Sequence, residues 1–391
     1  MKKFLLFLMI IFSVSGCGKK IYVENPEVIN IKNDTIEVFE DIYLYDLLEK
    51  NSDVEYVTDN YIIDTEEIGE KTHEITYKYN NKEYTYKFNI NIIDTEPPRV
   101  FGGTNKTVTK GYEGDICSIV AYGDNYDGFV TCRIEGTFDT NKVGTYNLKY
   151  ILSDSSNNTK EVNVTLNVRE KSNTNNTSTS TKKTQFVDVI AKYKNENNEI
   201  GIDVSKWQGN IDFNKVKNAG ASFVMMRIGV QKKALGELEI DQFYLQNIKN
   251  AKEAGLKVGV YLYSIATSKD EAIKHANWVI NTLDGEKLDL PVVFDWESWS
   301  KWNSFKISFH EINSIANNYL STVKNAGYEG MLYSSKFYLE NIWENKMNFP
   351  VWLAHYTERT SYQGKYIMWQ LCNNGRIDGI NGDVDIDILY N

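Results

Sequence analysis

The chain has few of the residues that build metal centres. Its 391 residues include four histidines and four cysteines, and no C-x-x-C or H-E-x-x-H pattern occurs. A zinc site is therefore not expected, and nothing else in the sequence calls for a metal or an organic cofactor. Basic residues are also in deficit, 43 Lys and Arg against 53 Asp and Glu, for a formal net charge of −10. A nucleic-acid binder carries a basic face, so nucleic acid is excluded as a partner. Charge-driven adhesion to an acidic wall is disfavoured for the same reason. General disorder is excluded by the 42% hydrophobic content, and a chain of this length is expected to form two or three domains.

Long apolar runs are scarce as well. The N-terminal run from Phe4 to Val14 follows Lys2 and Lys3, matching an export signal, and is short for a membrane span. It ends in Val14-Ser15-Gly16-Cys17, which resembles the bacterial lipobox, whose cysteine is lipidated and becomes the mature N-terminus. The plainer alternative is a secretory signal with an incidental cysteine. On the lipobox reading, residues 1–17 are a signal peptide and acyl chains on Cys17 hold the protein on the outer face of the bacterial membrane. Of the other cysteines, Cys117 and Cys132 are either a disulfide or two buried thiols. Cys372 has no partner left in the chain and reads as packing.

What the sequence does contain is two different grammars. Residues 21–170 alternate in short runs such as Glu74-Ile75-Thr76-Tyr77-Lys78-Tyr79 and Glu161-Val162-Asn163-Val164-Thr165-Leu166, separated by Gly, Asn and Asp clusters. Asp64-Thr65-Glu66-Glu67-Ile68-Gly69 returns as Asp139-Thr140-Asn141-Lys142-Val143-Gly144 after 75 residues. Two successive β-sandwiches of immunoglobulin-like size, 21–95 and 96–170, fit this repeat. The second, with Asp124-Asn125-Tyr126-Asp127-Gly128, resembles bacterial surface Ig-like modules; that acidic loop reads as a polar turn rather than a calcium site. Residues 171–198 read as a linker, with a short helix expected around Phe186 to Tyr193.

From Glu199 onward, apolar strands alternate with helices. Helical segments end at Ala219-Gly220, Ala254-Gly255 and Ala326-Gly327, and capping boxes open at Ser268 with Glu271 and Ser308 with Glu311. The last stretch loses its helices. About eight strands in this pattern predict an irregular (β/α) TIM-like barrel over 199–391.

The working end of such a barrel lies at the C-terminal ends of its strands. Polar residues expected there are Asp203, Arg227, Tyr261, Tyr263, Asp295, Glu297, Tyr333, Trp352, Tyr356, Trp369, Gln370 and Asp385. Acids ringed by aromatics suit a sugar cleft. Residues i and i+2 of a strand share a face about 6.6 Å apart, so Asp295 and Glu297 can address one glycosidic bond. Each negative charge raises the other's pKa, keeping one group protonated as an acid. In Asp383-Val384-Asp385-Ile386-Asp387 the acids alternate with apolar residues, as in a strand, so one or two of them are expected to face the cleft.

Residues 199–391 resemble a glycoside hydrolase family 25 lysozyme, an N-acetylmuramidase of the Chalaropsis type. The resemblance rests on Gly201-Ile202-Asp203-Val204-Ser205-Lys206-Trp207-Gln208-Gly209, Phe223 to Arg227, Leu290 to Glu297, Val351 to Tyr356, Met368-Trp369-Gln370 and Gly379 to Asp385. Phe213 and Leu371-Cys372 depart from the family pattern without touching the acids. The resemblance implies cleavage of β-1,4 bonds between N-acetylmuramic acid and N-acetylglucosamine in peptidoglycan, with retention. It makes Glu297 the general acid and Asp295 either the nucleophile or the group that orients the substrate's acetamide, with Asp203 and Asp385 completing the catalytic set. Arg227, Tyr261, Tyr263, Tyr333, Trp352, Tyr356, Trp369 and Gln370 would bind glycan. The alternatives are a catalytically inactive surface lipoprotein that binds glycan or adheres, and a hydrolase of another N-acetylated polymer such as chitin.

Overall fold

The computed structural model describes residues 27–171, 182–234, 236–344 and 348–391. The signal segment with Cys17, and the Ser/Thr/Asn tract at 172–181, lie outside the described residues. The chain divides into two compact units between Thr95 and Glu96.

The first unit is built on a long hairpin, Gly69–Tyr79 with Lys82–Ile93. Asn80 and Asn81 both adopt positive φ (51° and 59°), the backbone that a tight two-residue turn requires and that asparagine tolerates. Strands Thr35–Glu37 and Glu55–Tyr56 flank the hairpin, and Ile29–Ile31 pairs separately with Leu48–Lys50. Alternation puts Ile75, Tyr77, Phe88, Ile90 and Ile92 on the buried face.

The second unit begins with a β-module of the same kind. Its four-stranded sheet runs in the order Thr131–Glu135, Gly144–Ser153, Thr159–Arg169, Asn105–Thr109, and Arg99–Val100 pairs with Tyr122–Gly123. Leu148, Tyr150, Leu152, Val164, Leu166 and Val168 fill its core. Cys117 and Cys132 form a disulfide across 15 residues of sequence. Closing a loop of that length restricts the unfolded chain by about 3 kcal/mol. Replacing both cysteines by alanine is therefore expected to destabilise the module by about that amount, read by denaturant unfolding of the oxidised parent and the variant. An unchanged midpoint would contradict this.

The rest of the unit is a closed eight-stranded barrel: β1 (Asn198–Val204), β2 (Phe223–Gln231), β3 (Lys257–Ser264), β4 (Val292–Trp296), β5 (Gly330–Ser335), β6 (Val351–Ala354), β7 (Met368–Arg376) and β8 (Val384–Tyr390). Neighbours from β1 to β7 are parallel. Crossover helices lie between the earlier strands, among them Phe213–Asn218, Tyr244–Glu253, Lys269–Leu283 and Phe309–Asn325. Two apolar layers result. Phe223, Met225, Val293, Met331 and Trp352 fill the interior, while Val224, Met226, Val292 and Phe294 face the helices.

Two features depart from the sequence reading. The closing strand β8 is antiparallel to both β1 and β7, because the seven residues at 377–383 are too few for a crossover. The start of β8 therefore meets the end of β1, with Asp385 opposite Asp203. The connection before the barrel is also ordered further back than a linker over 171–198 implies. Thr184–Gln185 pairs with β7, and helix Phe186–Tyr193 buries Phe186 and Val189 in the barrel's outer layer.

Candidate active site

Alternation along each strand decides which side chains reach the barrel mouth. On β4, Asp295 points inward and is buried, whereas Trp296 points into the outer layer and donates its indole N–H to the Ala266 carbonyl at 3.0 Å. Glu297 lies just past the strand, with φ −129° and ψ 8°, and opens the short helical turn Ser298–Lys301. Its carboxyl is reachable by solvent at the mouth, yet protein crowds it from most sides.

Around this pair lies a ring of carboxyls. Asp203, at the end of β1, accepts a hydrogen bond from the Gln370 amide at 2.8 Å. Gln370 in turn accepts from the Tyr333 and Tyr356 hydroxyls, each at 2.9 Å. Asp385 faces Asp203, and Asp387, two residues deeper on the same face of β8, accepts the Trp352 indole N–H at 2.9 Å. Asp387 is fully buried. It was not singled out as a site residue from sequence, although the D-x-D-x-D alternation carried the signal. Asp383, the first acid of that run, lies at the surface and pairs with Lys183 and Arg376.

Packing so many carboxyls together shifts their titration upward. Burial, the Asp387 charge and Glu297 hold Asp203 well above the carboxylate range. Burial and the neighbouring Asp203 push Asp385 up to about 9. Asp387 is raised by burial and by Asp385. Burial, Glu297 and Asp203 raise Asp295, opposed by the Arg227 guanidinium, and burial raises Glu297. Asp295 Oδ1 has no hydrogen-bond partner among the described residues. All five carboxyls are thus shifted toward the protonated form, the direction a group must move to serve as a general acid.

The other expected residues are distributed unevenly. Tyr261, half-buried, stands edge-on to Trp352 with ring centroids 6.0 Å apart, and Tyr333 stands 4.8 Å from the same indole. Tyr263 interacts with the Ser298 side chain, and Tyr356 is about half exposed at the rim. Trp369 is a correction. Gln370 next to it points inward, so Trp369 points outward, where it packs edge-on against Tyr193 (6.0 Å) and donates to the His355 carbonyl at 2.9 Å. It does not line the cleft. Arg227 is engaged rather than free: its Nε and a terminal nitrogen donate to Asp241 at 2.8 and 2.5 Å. Asp241 also accepts the Lys206 and Phe243 backbone N–H groups, both at 3.0 Å. Asp241 lies outside the expected set, since nothing local in sequence ties it to Arg227.

A family model described as glycosyl hydrolases family 25 matches residues 202–380. The uncharacterised Escherichia coli K12 protein YegX is 30% identical over 193 residues, covering 48% of this chain and 68% of its own length. The chain belongs to glycosyl hydrolase family 25. It is accordingly a glycoside hydrolase, and the acid ring lies within the matched family 25 region apart from its last two members, Asp385 and Asp387. The autolytic lysozyme of Clostridium acetobutylicum is 29% identical over 189 residues, covering 48% of this chain but 54% of its own length, so the chain spans about half of that relative. Among solved structures, the modular autolysin LytC of Streptococcus pneumoniae with a synthetic peptidoglycan ligand shares 24% identity, with a TM-score of 0.45, over 62% of this chain and 56% of its own.

Proposed function

We propose that this family 25 enzyme is a retaining N-acetylmuramidase acting on peptidoglycan outside the cell, tethered to the membrane through Cys17. The observation that carries the reaction is the mouth of the barrel, where two carboxyls two residues apart are both raised, Glu297 by burial and Asp295 by burial and the Glu297 charge. Glu297, the more accessible of the two, protonates the leaving oxygen and then activates water. Asp295, buried beneath it, either attacks the anomeric carbon or orients the substrate's acetamide. Asp203 and Asp385, with Asp387 behind them, hold the charge state of the pair. Tyr261, Tyr263 and Tyr356 form the glycan-facing wall, with the buried Tyr333, Trp352 and Gln370 supporting it from behind. Arg227 acts on Asp295 through its field, anchored by Asp241.

The substrate class is supported by family membership and by likeness to the clostridial autolytic lysozyme. Export is supported by the N-terminal signal pattern and by the Cys117–Cys132 disulfide, a bond that persists in oxidising compartments. We read the two β-modules as Ig-like spacers that carry the barrel from the membrane into the wall. The test is release of soluble fragments from purified walls by the full chain; intact walls after prolonged incubation would refute the reading. Anchoring is tested separately: Cys17→Ala should move the protein from the membrane fraction to the medium.

The field of Arg227 gives a pH prediction. Burial, Glu297 and Asp203 raise the pKa of Asp295 and the Arg227 cation opposes them, so without Arg227 the carboxylate needed for the first step would form only at still higher pH. Arg227→Gln combined with Asp241→Asn removes both charges of this buried pair and keeps polar groups in place. The acid limb of kcat/KM should then move to higher pH, and an unmoved limb would show that Arg227 does not act on Asp295.

A further inference from the structure

In the second unit the β-module and the barrel share a seam, and the seam falls on the loop that carries Glu297. Residues 297–308 lead from β4 to the helix Phe309–Asn325. A helix start leaves backbone N–H groups without intrahelical partners. Here Ser308 takes care of Glu311 N–H through a capping box, but Phe309 and His310 turn to the β-module. Phe309 N–H donates to the Asp124 carbonyl at 2.8 Å and His310 N–H to the Asn125 carbonyl at 3.2 Å. Asn303, in the middle of the loop, accepts from Tyr122 N–H at 3.3 Å and donates to the Val120 carbonyl at 2.9 Å.

Apolar packing follows the same line. Phe101 of the module, 5% exposed, meets Trp302 and Phe309 edge-on at 5.3 and 5.6 Å, and the Arg99 guanidinium lies 4.5 Å over Phe309. Phe101 thereby joins the barrel's outer core rather than the module's own. From Trp302 the rings continue to Trp299, stacked at 5.8 Å, and to Trp296 at 5.9 Å. Those two residues bracket Glu297 in sequence, and Trp299 N–H donates to the Glu297 carbonyl at 2.8 Å. Two glycines permit the approach. A Cβ on Gly123 would stand 2.8 Å from the Trp302 indole nitrogen, and one on Gly128 would stand 2.3 Å from the Lys306 carbonyl oxygen.

We infer that the β-module of residues 96–170, besides serving as a spacer, is part of the catalytic unit: through Asn303, Phe101 and the Asp124 and Asn125 carbonyls it clamps the 297–308 loop and sets the position of Glu297. This rests on the muramidase reading for its activity readout, and deepens it. The clamp residues are positioning residues and touch no substrate.

Gly128→Ala is the test variant. Gly128 has no left-handed φ, so alanine suits the module itself, while its methyl collides with a barrel backbone oxygen. Asn303→Ala is the second variant, cutting both loop hydrogen bonds without a wedge. Hydrogen exchange at the Phe309 and His310 amides reports the seam, and kcat and KM on soluble glycan report the site. Both variants should expose the two amides and lower kcat about ten- to a hundred-fold with KM essentially unchanged, since misplacing a catalytic group costs turnover rather than binding. Freely exchanging amides with wild-type kcat would overturn the clamp, as would amides that stay protected in both variants. Should Gly128→Ala not fold, Asn303→Ala decides alone. A wild-type chain that leaves peptidoglycan uncut refutes the proposed reaction instead, while the amide result still judges the seam.

Discussion

Glu297→Gln is expected to lower kcat on peptidoglycan by about three orders of magnitude while glycan binding and fold survive, the scale of a lost general acid. The amide has the shape of the acid but no proton to give to a leaving sugar oxygen. Glu297 sits past the end of β4 with its side chain at the mouth, so the exchange removes no core contact. Burial raises its pKa, which favours the protonated form that a general acid needs at the start of the reaction. Activity should therefore fall at high pH as the acid ionises, and that basic limb should disappear from the residual rate of the variant. Steady-state kinetics across pH measure both effects; a variant within tenfold of the parent would remove Glu297 from the role.

Asp295→Asn is expected to cost about two to three orders of magnitude in kcat and, at the same time, to make the protein more stable at neutral pH. The sign follows from linkage. Burial, with Glu297 and Asp203 close by, raises the folded-state pKa of Asp295 well above its unfolded value. Above the unfolded carboxylate range the unfolded chain has released a proton that the folded chain still holds, so stability declines as pH rises from there toward the folded pKa. Asparagine removes that penalty, and Asp295 Oδ1 forfeits no hydrogen bond among the described residues. A gain of about 1–2 kcal/mol is the usual scale for relieving a strained functional site. The gain should shrink toward zero near pH 3, where both states are protonated. Thermal melts at the two pH values check it, and a melting point lowered at pH 7 would contradict the account.

Much of this architecture was legible in the sequence because it is written in local periodicity. The strand–helix alternation after Glu199, the Ala-Gly helix ends and the Ser308–Glu311 capping box correspond to observed elements of the barrel. The place of Asp295 was legible because a strand fixes where its residues point, whereas Glu297 lies just past β4 and takes its place from the turn that follows rather than from strand alternation. What escaped depended on which face of a strand a residue took, or on contacts far apart in sequence. Trp369 looked like a cleft aromatic, but one step of alternation beside Gln370 turns it outward. Asp387 was visible in its alternating run, yet its depth depends on β8 running antiparallel, which only the short 377–383 connection dictates. The anchoring of Arg227 by Asp241 had no local signature. Neither did the docking of the β-module on the Glu297 loop, since Asn303 and Val120 lie 183 residues apart.

The central claim, that the barrel cleaves muramic-acid linkages with Glu297 as the acid, is tested most directly by mass spectrometry of purified walls digested with the full chain. The account predicts fragments ending in new muramic-acid reducing ends from the parent and none from Glu297→Gln; new glucosamine reducing ends, or equal digestion by both proteins, would contradict it.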